Sequence, residues 1–225
     1  MRNCCLRELG RISYAEALEL QQQVISARKA GETVDHLLLL EHPHVITMGR
    51  NGQMENLLAS DEILSRAGIA FFPTDRGGDV TYHGPGQLVG YPILDLRDWK
   101  RDVGAYVRGI EQVIIETLAD FGIEAGRIPK LTGVWVGDRK IAAIGVHLSR
   151  WVTSHGFALN VHTDLSYFKY IVPCGLTKPV TSMAQLGVSA TLEEVSRILA
   201  LHFGRVFDCE MVAETPALAS TEREN

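Results

Sequence analysis

The chain has 225 residues, of which 46% are hydrophobic and 22% charged, a composition typical of one globular α/β domain or at most two small ones. Its net charge of −5, without a block of consecutive lysines and arginines, argues against a nucleic-acid-binding protein. No apolar stretch approaches the ~20 residues that cross a bilayer, and the N-terminus is too charged for a signal peptide, so we expect a cytoplasmic protein.

The first part of the chain is predicted to alternate helices and strands. Residues 13–16 (SYAE) have the form of a capping box, so a helix is expected from there to about Lys29, and Gly31 ends it. Strands are predicted at residues 34–40, 45–48 and 69–72, the last of them buried, and a short helix at residues 60–67.

The rest of the chain continues this alternation. Apolar residues at three- and four-residue intervals from Val103 to Leu118 predict a second long helix that lies across a sheet. The clearest hairpin joins residues 133–136 to 140–148, and it puts Lys140 at the start of the return strand. Further strands are predicted at residues 88–96, with a break at Gly90 and Pro92, at 151–153 and at 156–161, and a last helix at 191–206.

Strands interleaved with a few helices predict an α/β or α+β domain with a mixed sheet flanked by helices. The sequence shows no internal repeat and no convincing linker, so residues 1–213 are interpreted as a single domain and residues 214–225 as a polar, loose tail. A small C-terminal subdomain after about Pro179 remains an alternative.

Three features indicate acyl-transfer chemistry. Cys174 lies between a proline and a glycine and is a candidate nucleophile, and Lys140 is a candidate neighbouring amine. Most lone cysteines are only small buried residues, and most lysines are only solvated surface charges. Cys209 is interpreted as a buried cysteine of this ordinary kind. The third feature is the glycine-dense segment 76–87, which is either a turn-rich connection or a loop that lets backbone approach a ligand.

Other site classes are less compatible with these residues. The glycine-dense segment lacks the Gly-x-x-x-x-Gly-Lys-Ser/Thr pattern of a nucleotide-binding P-loop. The four cysteines and eight histidines show no structural-zinc spacing, so no metal is expected. His83 has two open interpretations, either polarising a carbonyl or holding the loop through hydrogen bonds.

Seven short segments carry a family resemblance. Together, and in this order, they are similar to the signature of bacterial lipoyl(octanoyl) transferases, and the match runs from about residue 35 to 185. The segments are 41–44 (EHPH), 47–49 (TMG), 76–88 (RGGDVTYHGPGQL), 133–135 (GVW), 140–145 (KIAAIG), 155–160 (HGFALN) and 173–175 (PCG).

The resemblance implies a function and a fold. It implies transfer of an octanoyl group from acyl carrier protein, through a cysteine thioester, to a lysine of lipoyl domains in 2-oxoacid dehydrogenases or of the glycine-cleavage H protein. This is the first step of protein lipoylation, and it needs neither ATP nor a metal cofactor. The implied fold is similar to those of biotin protein ligases and lipoate ligases, and residues 1–213 would form its catalytic domain.

The resemblance also implies roles for individual residues. Cys174 and Lys140 would be catalytic. The remaining implied residues would line the acyl and pantetheine pocket: Arg76, Gly77, Gly78, Asp79, Val80, Thr81, Tyr82, His83, Ala143, Ile144, Gly145, Gly156, Phe157 and Ala158.

The residue types agree with this chemistry. Passing the acyl group through a cysteine exchanges one thioester for another at similar energy before the favourable step to an amide. An ammonium beside the thiol would stabilise the thiolate, and Lys140 could later return a proton to the departing sulfur and, once neutral, help to deprotonate the incoming amine.

Three other functions remain as alternatives. An ATP-dependent lipoate or biotin ligase would not need the thiol, a non-catalytic module would only bind acylated carrier domains, and a cysteine hydrolase would use His83, His147 or His155 as its base. For the carrier-protein donor, we expect docking on a basic surface. The candidate residues of that surface are Arg127, Lys130, Arg139, Arg150 and Lys178.

Overall fold

The computed structural model describes residues 2–172 and 178–213, which contain four α-helices and eleven β-strands. The helices are α1 (Tyr14–Ala30), α2 (Asp61–Arg66), α3 (Val103–Asp120) and α4 (Leu192–Val206). The strands are β1 (Arg2–Arg11), β2 (Asp35–Glu41), β3 (Val45–Met48), β4 (Ala70–Pro73), β5 (Val80–His83), β6 (Gln87–Ile93), β7 (Gly126–Ile128), β8 (Leu131–Val136), β9 (Arg139–Ser149), β10 (Val152–Asn160) and β11 (Cys209–Ala213).

Eight of the strands form one mixed sheet in the order β11-β1-β2-β6-β10-β9-β8-β7. Strand β1 runs parallel to both β11 and β2, and every other neighbouring pair is antiparallel. Strands β3, β4 and β5 form a second, smaller sheet in the order β4-β3-β5. The predicted hairpin is confirmed as β8 and β9, which brings Lys140 next to Trp135.

The large sheet is covered on both faces. Strand β2 shows this most clearly, because Leu37 and Leu39 pack in the cluster that includes α3 and α4, whereas Leu38 and Leu40 pack in the cluster that includes α1. Successive side chains of a strand point to opposite faces, so a strand between two helical layers must be apolar throughout. This explains the unbroken leucine run of the sequence.

The helix boundaries follow from their caps. Ser13 and Glu16 form a reciprocal capping box at the start of α1, and Gly31 ends that helix with a left-handed φ of 77°. Thr191 and Glu194 form the same box at the start of α4. The predictions for both helices are therefore confirmed by the hydrogen bonds on which they were based.

The predicted break at Gly90 and Pro92 is wrong, because β6 is continuous from Gln87 to Ile93. The glycine instead makes room for a ring on the neighbouring strand, since a Cβ at Gly90 would lie 2.1 Å from Cζ of Phe157. A side chain is also excluded at Gly156, since a Cβ there would lie 2.1 Å from the carbonyl oxygen of Gly90. These two glycines allow β6 and β10 to pack closely beside the aromatic ring.

Strand β4 is also not the buried strand that its aromatic residues predict. It lies at the edge of the small sheet, where Phe71 and Phe72 are only half-buried and Ala70 is exposed. The core of this sheet comes instead from Ile46, Val80 and other residues that pack against α2. The exposure of β4 therefore follows from its position at the edge of the sheet, and that position depends on the order of the strands.

The C-terminal elements join the same structure. Helix α4 packs against α3 in the main hydrophobic cluster through Leu199 and Phe203, and β11 pairs with β1 along the outer edge of the large sheet. Within the described part of the chain, none of the helices is long and apolar enough to cross a membrane.

Candidate active site

A pocket of about 450 Å³ lies where the glycine-dense segment and β5 face strands β9 and β10 of the large sheet. This volume is within the usual range of small-ligand pockets, about 300–1,000 Å³. Helix α3 and the connection between β7 and β8 complete the walls. The lining residues are Arg76, Gly77, Gly78, Asp79, Val80, Thr81, His83, Val107, Lys130, Leu131, Thr132, Lys140, Ala143, Ile144, Gly145, Val146, Gly156, Phe157 and Ala158.

The predicted substrate-binding residues therefore lie together, with one exception. Tyr82 is fully buried on the other face of β5, where its hydroxyl bonds Nδ1 of His44 at 2.7 Å and its ring stacks on Tyr167. Alternation along the strand turns Thr81 and His83 towards the pocket and Tyr82 away from it. The sequence analysis missed Val107, Lys130, Leu131, Thr132 and Val146, although the strand periodicity beyond Lys140 could have indicated Val146.

Close backbone contacts position the glycine-dense segment over β9. The amide of Gly77 donates to the carbonyl oxygen of Val146 at 2.9 Å. A Cβ at Gly145 would lie 2.8 Å from the carbonyl oxygen of Gly77, and a Cβ at Gly49 only 2.4 Å from that of Gly78. Glycine is required at these positions because neighbouring backbone occupies the space of a side chain.

Arg76 attaches the start of this loop to β3 through its side chain. Its guanidinium Nη2 donates to the carbonyl oxygen of Thr47 at 2.7 Å and to Oγ1 of the same residue at 2.9 Å, and Nη1 donates to the carbonyl oxygen of Gly77 at 3.0 Å. The side chain is buried, with 7% of its surface exposed. Arg76 thus ties the loop to β3.

Asp79 attaches the same loop to a different part of the chain. Its carboxylate accepts hydrogen bonds from the amides of Val80 at 2.7 Å and Gln53 at 3.1 Å, and from the side-chain amide of Asn56. These bonds attach the loop to the 3₁₀ turn Met54–Asn56. Of the charged lining residues, Arg76 and Asp79 therefore have clear structural roles.

Lys140 lines the pocket and is largely buried, with 9% of its surface exposed. Its Nζ is 4.8 Å from the centre of the Trp135 ring, a distance at which an ammonium is attracted to an aromatic face. Nζ of Lys178 approaches the same ring at 5.9 Å. Two positive groups therefore converge on Trp135.

The predicted nucleophile Cys174 lies outside the described residues. On its N-terminal side, the amide of Val172 donates to the carbonyl oxygen of Asn56 at 2.8 Å. On its C-terminal side, the amide of Lys140 donates to the carbonyl oxygen of Pro179 and the amide of Thr181 donates to that of Lys140, both at 2.9 Å. The described chain that follows residue 177 is thus hydrogen-bonded to the backbone of the predicted catalytic lysine.

A small cavity of about 20 Å³ adjoins the main pocket at Lys140. It shares Lys140 and Ala143 with that pocket and is also lined by Phe168 and Val180, which lie on either side of residues 173–177 in the sequence. The lysine therefore borders both the pocket and the described chain that flanks the cysteine segment.

A polar relay fixes the protonation of His83. The carbonyl oxygen of Thr181 accepts a bond from Nδ2 of Asn160 at 3.0 Å, and Oδ1 of Asn160 accepts one from Nε2 of Gln87 at 2.9 Å. Oε1 of Gln87 is left to accept from Nδ1 of His83 at 2.8 Å. Because a carbonyl can only accept, each donor in the relay is determined, and the proton of the neutral imidazole is on Nδ1.

This assignment favours one of the two predicted roles for His83. Burial, followed by the nearby His42, lowers the pKa of His83 to about 3, so the ring is neutral near neutral pH. Its Nε2 then carries a lone pair and has no proton with which to polarise a carbonyl oxygen. A base this weak is also poorly suited to activating a thiol or a water molecule. The geometry supports a role in holding the loop.

Acid is expected to destabilise the protein through His42 and His83. Burial lowers the pKa of His42 to about 4, as it lowers that of His83 to about 3, whereas unfolding restores values near ~6.5. Between these values the unfolded chain binds more protons, so the stabilisation is complete above about pH 6.5 and is lost as the pH falls. Each histidine should lower the free energy of unfolding by about 2 kcal/mol between roughly pH 7 and pH 5.

Urea denaturation at these two pH values measures the loss. His83→Asn keeps an N–H donor for Gln87 and removes one titrating group, so it should recover about 2 kcal/mol of the pH-dependent loss. The exposed His162→Asn is the control. If His83→Asn lost as much stability on acidification as the wild type, the buried neutral histidine would not be the cause.

The other two candidate bases lie away from the pocket lining. Nε2 of His155 bonds Oδ1 of Asp75 at 2.7 Å, and Nε2 of His147 lies 3.5 Å from the other carboxylate oxygen. Asp75 directly precedes the glycine-dense segment, so this pair of contacts attaches the start of the loop to β9 and β10. A cysteine hydrolase based on His147 or His155 gains no support from this geometry.

The predicted basic surface is only partly contiguous. Lys130 lines the pocket and Lys178 faces Trp135, but Arg127 is paired with Glu111 at 2.8 Å. Arg150 follows the far end of β9, roughly 35 Å along an extended strand from Arg139. Arg150 therefore does not belong to the surface around the pocket.

Comparisons with known proteins agree with the fold. The lipoyl protein ligase A/B catalytic domain matches residues 13–204. A structure of a bipartite lipoate protein ligase and its E2 lipoyl domain from Thermoplasma acidophilum is similar with a TM-score of 0.76 at 18% identity, over 96% of this chain and 89% of that one. Biotin protein ligase from Aquifex aeolicus is similar with a TM-score of 0.52 at 10% identity, over 92% and 69%. The predicted fold class is confirmed.

The sequence comparison is more specific. An octanoyltransferase of Solibacter usitatus (strain Ellin6076) is 80% identical over 212 residues, which cover 94% of this chain and 96% of the relative. An octanoyltransferase of Koribacter versatilis (strain Ellin345) is 56% identical over 206 residues, 88% of this chain and 82% of the relative. Together with the fold and the pocket, these identities define an enzyme of the acyltransferase class, with the catalytic domain of the lipoyl protein ligases. The chain belongs to the octanoyltransferase family.

Proposed function

We propose that this enzyme transfers an octanoyl group from acyl carrier protein, through a thioester on Cys174, to the lysine amine of lipoyl domains. The acceptors would be the lipoyl domains of 2-oxoacid dehydrogenases and the glycine-cleavage H protein. The observation that carries the proposal is a pocket whose strand wall consists of small and apolar residues and whose lining includes a buried lysine. The remaining support is the identity with octanoyltransferases over most of the chain.

The pocket suits an unbranched acyl chain. Gly145, Gly156 and Ala158 leave space along its strand wall, and Ile144 and Phe157 supply apolar surface. Burial of each methylene contributes about 0.8 kcal/mol, so a chain of this length can bind without polar contacts along its tail. Polar groups are needed only near the carbonyl group of the acyl chain, and we assign Lys140 to that group.

Lys140 has two tasks in this mechanism. In the first half-reaction its ammonium stabilises the thiolate of Cys174, which attacks the donor thioester, and the lysine then gives a proton to the departing pantetheine sulfur. In the second, the now neutral lysine accepts a proton from the acceptor amine as that amine attacks the enzyme thioester. The proton later returns to the Cys174 sulfur when the amide forms.

The runner-up function is ATP-dependent ligation, in which a free acid is activated as an adenylate. The lipoate and biotin ligases share the fold, but at 18% and 10% identity they support the fold alone. We rank carrier-dependent transfer first because transfer through an enzyme thioester uses the cysteine, whereas transfer from an adenylate does not need a thiol.

The test is octanoyl transfer to a lipoyl domain in the absence of ATP. Octanoyl-acyl carrier protein should support transfer without nucleotide, and intact-mass measurement without an acceptor should show one octanoyl group on the enzyme. Free octanoate with ATP is the parallel reaction. Transfer only in that second reaction would refute the proposal and favour the ligase.

A further inference from the structure

We propose that Lys130 binds the phosphodiester of the donor's pantetheine arm, an inference that rests on the proposed carrier-linked donor. Lys130 forms part of the two-residue connection between β7 and β8, where Ile128 pairs with Leu131. Its second residue, Lys130, is one of the residues that line the pocket, so it can contact a ligand bound there.

The backbone of Lys130 is unusual for a lysine. Its φ is 68°, in the left-handed region, and Pro129 precedes it. A proline followed by a left-handed residue is the arrangement of a type II turn, in which glycine or asparagine is the favoured second residue. Five described residues other than glycine have a left-handed φ, and Lys130 alone among them lines the pocket. A residue held in an unfavourable conformation at a pocket wall is a candidate for a binding role.

The ammonium of Lys130 is not paired with a carboxylate of the described residues. Lys130 is exposed and forms no ion pair with the residues that the structure describes. Asp79 is the acidic residue of the lining, and its carboxylate already accepts the hydrogen bonds of Val80, Gln53 and Asn56. A positive group at the rim is therefore available to an anionic ligand.

The distance between Lys130 and Lys140 indicates which part of the donor Lys130 contacts. The side chain of Lys140 lies beside Gly133, since a Cβ at Gly133 would be 3.3 Å from Cε of that lysine. Lys130 is three residues from Gly133, roughly 10 Å along an extended chain. With the thioester at Lys140, a lysine at this separation can contact a part of the donor that is removed from the reacting atoms. The anionic group of the pantetheine arm is its phosphodiester, for which lysine is a common charge-assisted partner.

The experiment compares three octanoyl donors on wild type and Lys130→Gly: octanoyl-pantetheine, octanoyl-phosphopantetheine and octanoyl-acyl carrier protein. The variant should raise the KM of both phosphate-containing donors about 10-fold more than that of octanoyl-pantetheine. Because glycine favours the left-handed conformation, the same variant should raise Tm by about 2–4 °C. Loss of donor affinity together with a gain in stability separates a binding role from misfolding.

Two further measurements complete the test. Lys130→Arg should restore most of the affinity for the phosphate-containing donors. Calorimetry with phosphopantetheine and with pantetheine gives a readout without turnover, and Lys130→Gly should remove the preference for the phosphorylated compound.

The possible outcomes lead to different conclusions. An equal increase in KM for all three donors would overturn the assignment, because the residue would then only shape the pocket. An increase for the carrier protein alone would also overturn it and would assign Lys130 to the acidic surface of that protein. If the wild-type enzyme accepted none of the three donors, the proposed function itself would fail.

Discussion

Replacement of Cys174 by alanine is expected to abolish the octanoyl adduct and to reduce octanoyl transfer by roughly 10³-fold or more, because the proposed mechanism carries the acyl group on this thiol between the two half-reactions. Cys174→Ser should also lose the adduct, since a serine hydroxyl does not ionise near neutral pH as an activated thiol does. Intact mass after incubation with octanoyl-acyl carrier protein measures the adduct, and a gel-shift or mass assay of the lipoyl domain measures transfer.

Cys209→Ala is the matched control for this experiment. Cys209 is buried on β11, at the opposite edge of the large sheet from β8 and β7. Its variant should keep one octanoyl group per chain. Persistence of the adduct in Cys174→Ala, or its loss in Cys209→Ala, would show that the thioester forms elsewhere.

Replacement of Lys140 by alanine is expected to slow acylation about 10²-fold near neutral pH and much less at alkaline pH. Without the ammonium, the thiol returns towards its ordinary pKa of ~8.5, so the thiolate is scarce at neutral pH and abundant above that value. The rate of adduct formation between about pH 6 and pH 10 measures the effect. The alkylation rate of Cys174 by iodoacetamide over the same range reports thiolate formation without acyl transfer.

Lys169→Ala provides the control for a lysine in the same type of contact. Nζ of Lys169 is 4.9 Å from the Tyr170 ring, close to the 4.8 Å between Lys140 and Trp135, but Lys169 does not line the pocket. Its removal should leave the pH profile unchanged. An equal loss at every pH in Lys140→Ala would mean that the lysine does not promote thiolate formation.

Local signals predicted the elements well where the hydrogen bonds are themselves local. The capping boxes at Ser13 and Thr191 bond residues three positions apart, so the sequence contains both partners. Gly90 and Phe71 were misinterpreted because their environment depends on strands that are distant in sequence. Gly90 faces the Phe157 ring, and Phe71 lies on an edge strand.

For the candidate site, the sequence likewise indicated which residues take part but not what each of them does. The motif resemblance indicated most of the residues that line the pocket, because those motifs combine glycines with small apolar residues on adjacent strands. It could not separate residues that face a ligand from residues that hold the loop. Arg76 bonds Thr47, and His83 bonds Gln87 through a relay that ends at Thr181.

The amino-acid sequence by itself determined the family, the helix ends and the two residues proposed for catalysis, since these depend on residue identity and short-range spacing. Only the tertiary structure decided which polar side chains are already satisfied by protein partners and which, such as Lys130, remain available at the pocket. The physical reason is that a buried polar group takes its hydrogen bonds from whatever the fold places beside it, and many of those partners, such as Thr47 for Arg76 and Thr181 for Asn160, lie tens of residues away along the chain.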